Sequence, residues 1–383
     1  MSRPQSNFSP TRRTSRRTAL KTLAAGGIAT VASSVARGAP AEAPAKLVAS
    51  ARPLGELFRG NLFDITGQDA ATSLVLPSGN ALWVFGDTVE GPFESIRELD
   101  LADKLSNTAA IVPPQDASAG LPRFEFLAAP DGKRPRQIVP FGADEDPGQT
   151  RVWPMHGLCT AKGVYLYYHR ISLKPGVDVF DDFVLDGMGL ARANPDEFNF
   201  QRLAAPDGSQ LFWKGDQPGF GVFVVRRDDY AYLWGSLMTG MFLARTRPDA
   251  VEQLSSYEYL VEAPTRERPT VRPRWSKTFA PTAVLFDGVP NEMSASFNKH
   301  LGCFVAIHTR LRANEIAIRT APDLVGPWSE AEIAFRPPRL SGGDLFYAAK
   351  EHPELARDGG KRIYVSFVNS ATYVPQLVEL TLA

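Results

Sequence analysis

The sequence predicts an all-β chain folded as a five-bladed β-propeller. Three observations carry the prediction. Beyond residue 47 no stretch sustains a helical period; short apolar or alternating runs, punctuated by Gly, Pro, Asn and Asp, take its place. Five of those runs resemble one another, at intervals of about 60–80 residues. A motif of arginine, two residues, proline and aspartate recurs three times, each time after one of the five runs.

The runs are LWVFGD from Leu82, VYLYYHR from Val164, AYLWGS from Ala231, CFVAIHT from Cys303 and IYVSFV from Ile363. Each is dense in β-branched and aromatic residues, which fit a pleated, buried surface. Each follows a turn: Ser78-Gly79-Asn80, Lys162-Gly163, Arg227-Asp228-Asp229, Lys299 to Gly302, and Asp358 to Lys361. A strand of smaller residues precedes every turn, so the unit is a hairpin whose second strand is the bulky one.

The recurrent motif (Leu190 to Asp196, Leu243 to Asp249, Ala317 to Asp323) reads as a third strand ending in a Pro-Asp turn. Proline sets φ there and aspartate caps the reversal. Its arginines are expected to be packed or salt-bridged rather than to hold a ligand. The runs FNFQRL, YEYLV and AEIAF then supply a fourth strand, and four strands per unit is the pattern of propeller blades. The last unit ends at its third strand, Leu377 to Leu382. Its outer strand is expected from about Leu47 to Phe58, which closes the ring and removes a sheet edge. The alternative architecture is a sandwich of two sheets.

The first residues read as an address. Residues 1–41 hold seven of the 42 basic residues and none of the 42 acidic ones. Ser15-Arg16-Arg17-Thr18-Ala19-Leu20-Lys21 precedes a weakly apolar stretch, Thr22 to Ala36, and small residues follow. This order predicts a twin-arginine-type signal peptide over 1–41, cleaved near residues 36–43. The mature protein is then periplasmic or secreted, with the twin-arginine translocase as its partner during export. The stretch is too short and too weakly apolar for a stable membrane anchor. The remainder, 47–383, is expected as one propeller domain. It is mildly anionic, which argues against nucleic acid as a partner. Cys159 and Cys303 stand in separate apolar runs and are expected as buried free thiols.

In a propeller the first strand of each blade lines the channel. Antiparallel pairing puts its start at the same rim as the end of the second strand. The strand starts offer Asp69, His156, Asp216, Glu292 and Asp344; the strand ends offer Asp87, His169, Ser236 and His308. The turn at Ser78-Gly79-Asn80 brings Asp87 opposite roughly Ala71, hence near Asp69. Carboxyls gathered at one rim suit cleavage of glycosidic bonds, where one donates a proton and another acts as base or nucleophile. Crowding raises one pKa and so separates the roles. Trp153, Phe220, Phe346 and Tyr347 are expected to stack on a sugar face. The sequence holds no G-x-S-x-G, no H-E-x-x-H, no zinc spacing and no phosphate loop. No metal ligand set or cofactor is expected, although carboxylates and carbonyls in the channel leave room for a structural calcium ion.

Four segments also carry a resemblance: ITGQDAATSLVLPSGNALWVFGDT (Ile65 to Thr88), SNTAAIV (Ser106 to Val112), NEMSASFN (Asn291 to Asn298) and IAIRTAPDLVGPW (Ile316 to Trp328). They resemble a secreted family described as a domain of unknown function. That family is similar to the five-bladed propellers of the arabinanase, β-xylosidase and invertase-like glycoside hydrolases. Some of its members are endo-D-arabinanases that cut mycobacterial-type arabinans. The resemblance implies Asp69 and Asp87 as the leading acid pair, with Glu292 as a third carboxylate. Here Gly-Gln-Asp-Ala-Ala stands where the family form is Gly-x-Asp-Gly-Gly, and Trp153-Pro154-Met155-His156 opens the second blade without an acid.

The expectation is therefore an exported glycoside hydrolase acting on a polysaccharide, with an arabinofuranoside-type chain as the leading candidate. Asp69 and Asp87 are expected as general base (or nucleophile) and pKa-tuning partner, and Glu292 as general acid. Substrate contacts are expected from Trp153, His156, Asp216, Phe220, His308, Asp344 and Tyr347. A second reading is a non-catalytic, carbohydrate-binding propeller. A third is a scaffold whose rim acids hold an ion.

Overall fold

The computed structural model describes residues 46–57, 63–97, 99–121, 123–174, 182–238, 240–289, 291–310, 313–340 and 345–383. The leader expected over 1–41 and the candidate Asp344 lie outside the described residues.

Five antiparallel sheets make the five blades. Blade 1 runs Thr72–Val75, Ala81–Phe85, Thr108–Val112 and Glu125–Phe126 from the axis outward. Blade 2 runs Thr150–Thr160, Gly163–Ser172, Val184–Ala193 and Gln201–Arg202, with Trp213–Lys214 also pairing its third strand. Blade 3 runs Gly219–Arg227, Tyr230–Leu237, Gly240–Thr246, Glu258–Glu262 and Arg274–Ser276. Blade 4 runs Met293–Asn298, Cys303–Arg310, Glu315–Ala321 and Glu332–Phe335. Blade 5 runs Phe346–Glu351, Arg362–Asn369 and Val374–Leu382, and its outer strand is the N-terminal Val48–Glu56. Val48 faces Leu382 and Glu56 faces Gln376, so the ring closes without a covalent join. Separate sheets around one axis exclude the two-sheet sandwich.

The five bulky runs are the second strands, and the reason lies in the stacking of blades. Each blade is sandwiched between two neighbours, so its middle strands lose both faces to apolar contacts. Alternation then gives way to continuous apolar runs. Leu82, Trp83, Val84 and Phe85 are all buried, although alternate residues point to opposite neighbours. Leu82 and Val84 pack with blade 2, whereas Trp83 and Phe85 pack toward blade 5 residues Tyr364 and Leu377. Cys159 and Cys303 are free thiols, only half-buried.

The motif arginines serve the blades themselves. Arg192 pairs with Glu252 at 2.7 Å and Arg245 with Glu258 at 2.9 Å. Arg319 donates to the carbonyls of Ser329 and Asp287 at 2.9 and 3.1 Å. Polar bonds also stitch neighbouring first strands together. Ser73 of blade 1 meets His352 beside blade 5 at 2.8 Å, and the Val224 amide of blade 3 donates to His156 of blade 2 at 3.1 Å. The Glu351 amide of blade 5 donates to Ser294 of blade 4 at 2.7 Å.

Candidate active site

The site forms where the first ladder of blade 1 breaks. Ile65–Gln68 pairs with Thr88–Glu90, Gln68 facing Thr88; the blade's own ladder resumes with Thr72 facing Val84. Asp69 follows Gln68 and Asp87 precedes Thr88, so the two aspartates confront each other across the gap. Ala70 and Ala71 carry the chain through it at φ of 66° and 56°. Left-handed backbone at a non-glycine residue costs about 1–3 kcal/mol. Glycine would adopt this backbone without that cost. Gly86 has its own reason: a Cβ there would land on Asp69 Oδ1.

Each of three carboxyls has a different electrostatic setting. Asp87 is 2% exposed, and its Oδ1 accepts from Arg151 Nε at 2.7 Å and from Trp153 Nε1 at 3.1 Å. Arg151 is wholly buried and spends its other donors on the carbonyls of Leu101, Lys104 and Pro147. Asp87 is thus ion-paired to a buried guanidinium. Glu292, just before the first strand of blade 4, accepts at Oε1 from Lys350 Nζ at 2.6 Å. Lys350 is 1% exposed and also donates to the carbonyl of Ala70 at 3.0 Å, so one ammonium ties blades 5, 4 and 1 together.

Among the described residues, none gives Asp69 a cation at ion-pair distance. Tyr347 donates its hydroxyl to Oδ2 at 3.3 Å, and Tyr373 adds a second side-chain bond. Burial, then the charges of Asp87 and Glu292, push this carboxyl up to about 8; the Tyr373 bond and the more distant Lys350 pull the other way. Burial, with the neighbouring carboxylates, lifts the Tyr347 and Tyr373 phenols well above their ordinary range. They are neutral donors. The arrangement therefore sets a carboxyl that holds its proton tightly beside two carboxyls paired with buried cations, which is the separation of roles that acid–base chemistry requires.

The structure thus brings together Asp69, Asp87, Glu292, Trp153 and Tyr347. Trp153 is half-buried at the same mouth, edge-on to Phe183 at 5.8 Å. Five other expectations need correction or limit. Phe220 is fully buried in an aromatic cluster with Trp213, Tyr259 and Phe279 and has no free face for a sugar. Phe346 is likewise buried against Phe367. His308 is fully buried between blades, accepting from Arg319 Nε at 3.1 Å; burial lowers its pKa to about 4. His156 lies deeper along the channel, stacked on Phe223 at 4.0 Å, and burial lowers it to about 3. Asp216 is exposed on the loop that enters blade 3.

Arg151, Lys350 and Tyr373 were not among the expected residues. Two of them left a trace in the sequence: Arg151 and Lys350 are lone cations inside otherwise buried first strands, TRVWPMHGLCT and FYAAKE. Tyr373, in the turn before Val374–Leu382, left none. Among the described residues no group of three or more His, Cys, Asp and Glu side chains is placed to hold a metal ion. Positive charge at the mouth comes from Arg151 and Lys350.

No curated protein matches the chain in sequence. Solved structures match its fold. A candidate hydrolase from Bacteroides ovatus ATCC 8483 aligns at a TM-score of 0.59 with 16% identity, over 86% of this chain and 87% of that one. A family 117 glycoside hydrolase from the marine bacterium Zobellia galactanivorans aligns at 0.51 with 12% identity, over 88% and 91%. At these identities the likeness concerns the five-bladed propeller itself. The family model for a domain of unknown function, DUF4185, matches residues 59–379, which takes in the mouth just described and all but the outer strand of blade 5 and the chain's last residues, and the chain belongs to that family.

Proposed function

We propose that the chain is a glycoside hydrolase that cuts a polysaccharide at this mouth, an arabinofuranoside-type chain being the substrate of first choice. The observation that carries the reading is the raised carboxyl of Asp69 between two ion-paired carboxylates. Asp69, holding its proton at neutral pH, gives it to the departing glycosidic oxygen. Glu292, paired with Lys350 yet more open than Asp87, supplies the electron pair on the other side of the sugar, to water or to the anomeric carbon. Burial first, and then the charge of Asp87, keep the proton on Asp69. Asp69 and Glu292 thus exchange the roles expected from the sequence, because Lys350 faces Glu292 at hydrogen-bond distance and, among the described residues, no cation faces Asp69 so closely.

Trp153 supplies an apolar ring beside the acids, suited to the C–H face of a sugar. The test is hydrolysis of a panel of arabinans and other polysaccharides by the wild type and by Asp69→Asn. Release of reducing ends by the wild type, lost in the variant while binding persists, supports the enzyme. Binding with no hydrolysis across the panel favours the non-catalytic carbohydrate-binding propeller.

A further inference from the structure

The opposite end of the channel holds a second cavity, of about 630 Å³. All five blades line it: Val75 of blade 1, His156 of blade 2, Phe223 and Arg227 of blade 3, Phe297 of blade 4, and Glu354 just beyond blade 5. Lys350, Glu351 and His352, all buried, lie on the stretch of blade 5 that runs from the acid mouth to this one. The strand ends at Glu351, and Glu354 lies in the short 3-10 helix Pro353–Leu355 that follows. The two mouths are separate sites.

Three features of the lining point to a ligand. Phe297 is 54% exposed and Val75 51%, unusual for a first strand whose other residues are almost all buried. Phe304 meets Phe297 edge to face at 5.3 Å and fixes the ring while leaving it open to solvent. Glu354 Oε1 is buried with no hydrogen-bond partner among the described residues; burial raises that carboxyl's pKa, against a bond from Ser73 that lowers it. A buried oxygen left unpaired costs about 1–3 kcal/mol, which a ligand donor recovers. The guanidiniums nearby are engaged. Arg227 pairs with Asp323 at 2.6 Å and lies over the Phe304 ring at 5.1 Å; Arg226 donates to the Cys159 carbonyl at 3.2 Å.

We infer that this second mouth binds a segment of a neutral glycan chain, as an auxiliary site separate from the acids. The occupant has to offer an apolar face to Phe297 and a hydroxyl donor to Glu354, and with the cations already paired it has no need of negative charge. A sugar offers both at once. A volume of this size lies within the range of sites that enclose small ligands, so a short oligosaccharide stretch fits. The inference goes beyond the hydrolase reading and does not depend on it, since no residue of the acid mouth takes part.

Affinity electrophoresis in gels cast with arabinan, arabinogalactan or xylan tests it. Asp69→Asn is the reference, so that the matrix is not consumed. Retardation of the reference should weaken about tenfold in Asp69→Asn/Phe297→Ala, and comparably in Asp69→Asn/Glu354→Gln. Phe297→Ala alone should turn over a small chromogenic glycoside within about twofold of wild type while losing activity on the polymer. Phe297 is exposed, so this variant is expected to fold, and circular dichroism checks that it does. Equal retardation of reference and double variants overturns the inference, as does the absence of retardation in every gel. Hydrolysis by the wild type alongside either result leaves the hydrolase reading standing. Phe297-dependent retardation with no hydrolysis anywhere does the reverse.

Discussion

The two mouths of the channel are built from the same five first strands, yet they handle buried charge in opposite ways. Where the strands start, carboxylates crowd together and two buried cations, Arg151 and Lys350, answer two of them. Where the strands end, aromatic rings dominate and the Glu354 carboxyl has an oxygen without a partner among the described residues. The chain connections differ in the same sense. Tight hairpins close the strand-end side: Thr160 faces Gly163 and Arg227 faces Tyr230 with two residues between. The strand-start side receives the entries into each blade and links from second to third strands, such as the one that includes residues 86–97 and 99–107. Longer connections carry more side chains to one place, and binding or catalytic groups concentrate there. The repeat makes the scaffold; its loops make the chemistry.

Variants that act on one mouth sharpen the contrast. The largest effect is expected from Asp69→Asn, which removes the proton donor. Turnover should fall about 10²–10⁴-fold, read as reducing-end release. In the wild type, turnover should decline as pH rises through about 8, where Asp69 loses its proton. The same group makes a stability prediction of opposite sign for the variant. The folded-state pKa lies above the unfolded one, so the native state holds the proton more tightly. Its contribution is complete below the ordinary carboxylate range and is lost as pH rises through about 8. Asp69→Asn lacks that loss, and its Tm should gain on the wild type between pH 5 and pH 8. A constant Tm difference across that range would contradict the raised carboxyl.

Arg151→Met comes next. It strands Asp87, buried and accepting from a tryptophan alone, and should cost about 3–5 kcal/mol in urea unfolding. A surface pair such as Arg266 with Glu330 should yield less than about 1 kcal/mol in the same assay. Lys350→Met is expected to speak through pH more than through rate. Lys350 pulls the Asp69 carboxyl down, so its loss should move the high-pH limb of kcat/KM upward, and Lys350→Arg should restore that limb in part. An unmoved limb would mean that the ammonium only braces blades 5, 4 and 1. The smallest effect belongs to Ala71→Gly. Relief of the left-handed backbone should stabilise by no more than about 1 kcal/mol, measured by thermal melting.

Much of the molecule was legible before folding because its cause is local. Hairpin turns, continuous apolar second strands and the Arg-x-x-Pro-Asp third strand announce a blade within about forty residues, and repetition announces the ring. The strand missing from blade 5 was legible too, since an open sheet edge calls for a partner and the chain had one unused β-run before Phe58. Asp69 and Asp87 meet within a single hairpin, so counting from Ser78-Gly79-Asn80 was enough to pair them.

Misplaced residues trace to features without a sequence period. The first strands of blades 2 and 3 are irregular between Pro154 and Gly157 and between Phe220 and Phe223. An irregularity of this kind re-aims nearby side chains, and His156 falls within one. Arg151 with Asp87, and Lys350 with Glu292, join residues 64 and 58 positions apart. Sequence by itself determined the blades, their number and the acids available at their rim. Only the closed ring decided which acid keeps its proton, because a pKa answers to charge and burial through space, and the space is shared by blades that the chain lists far apart.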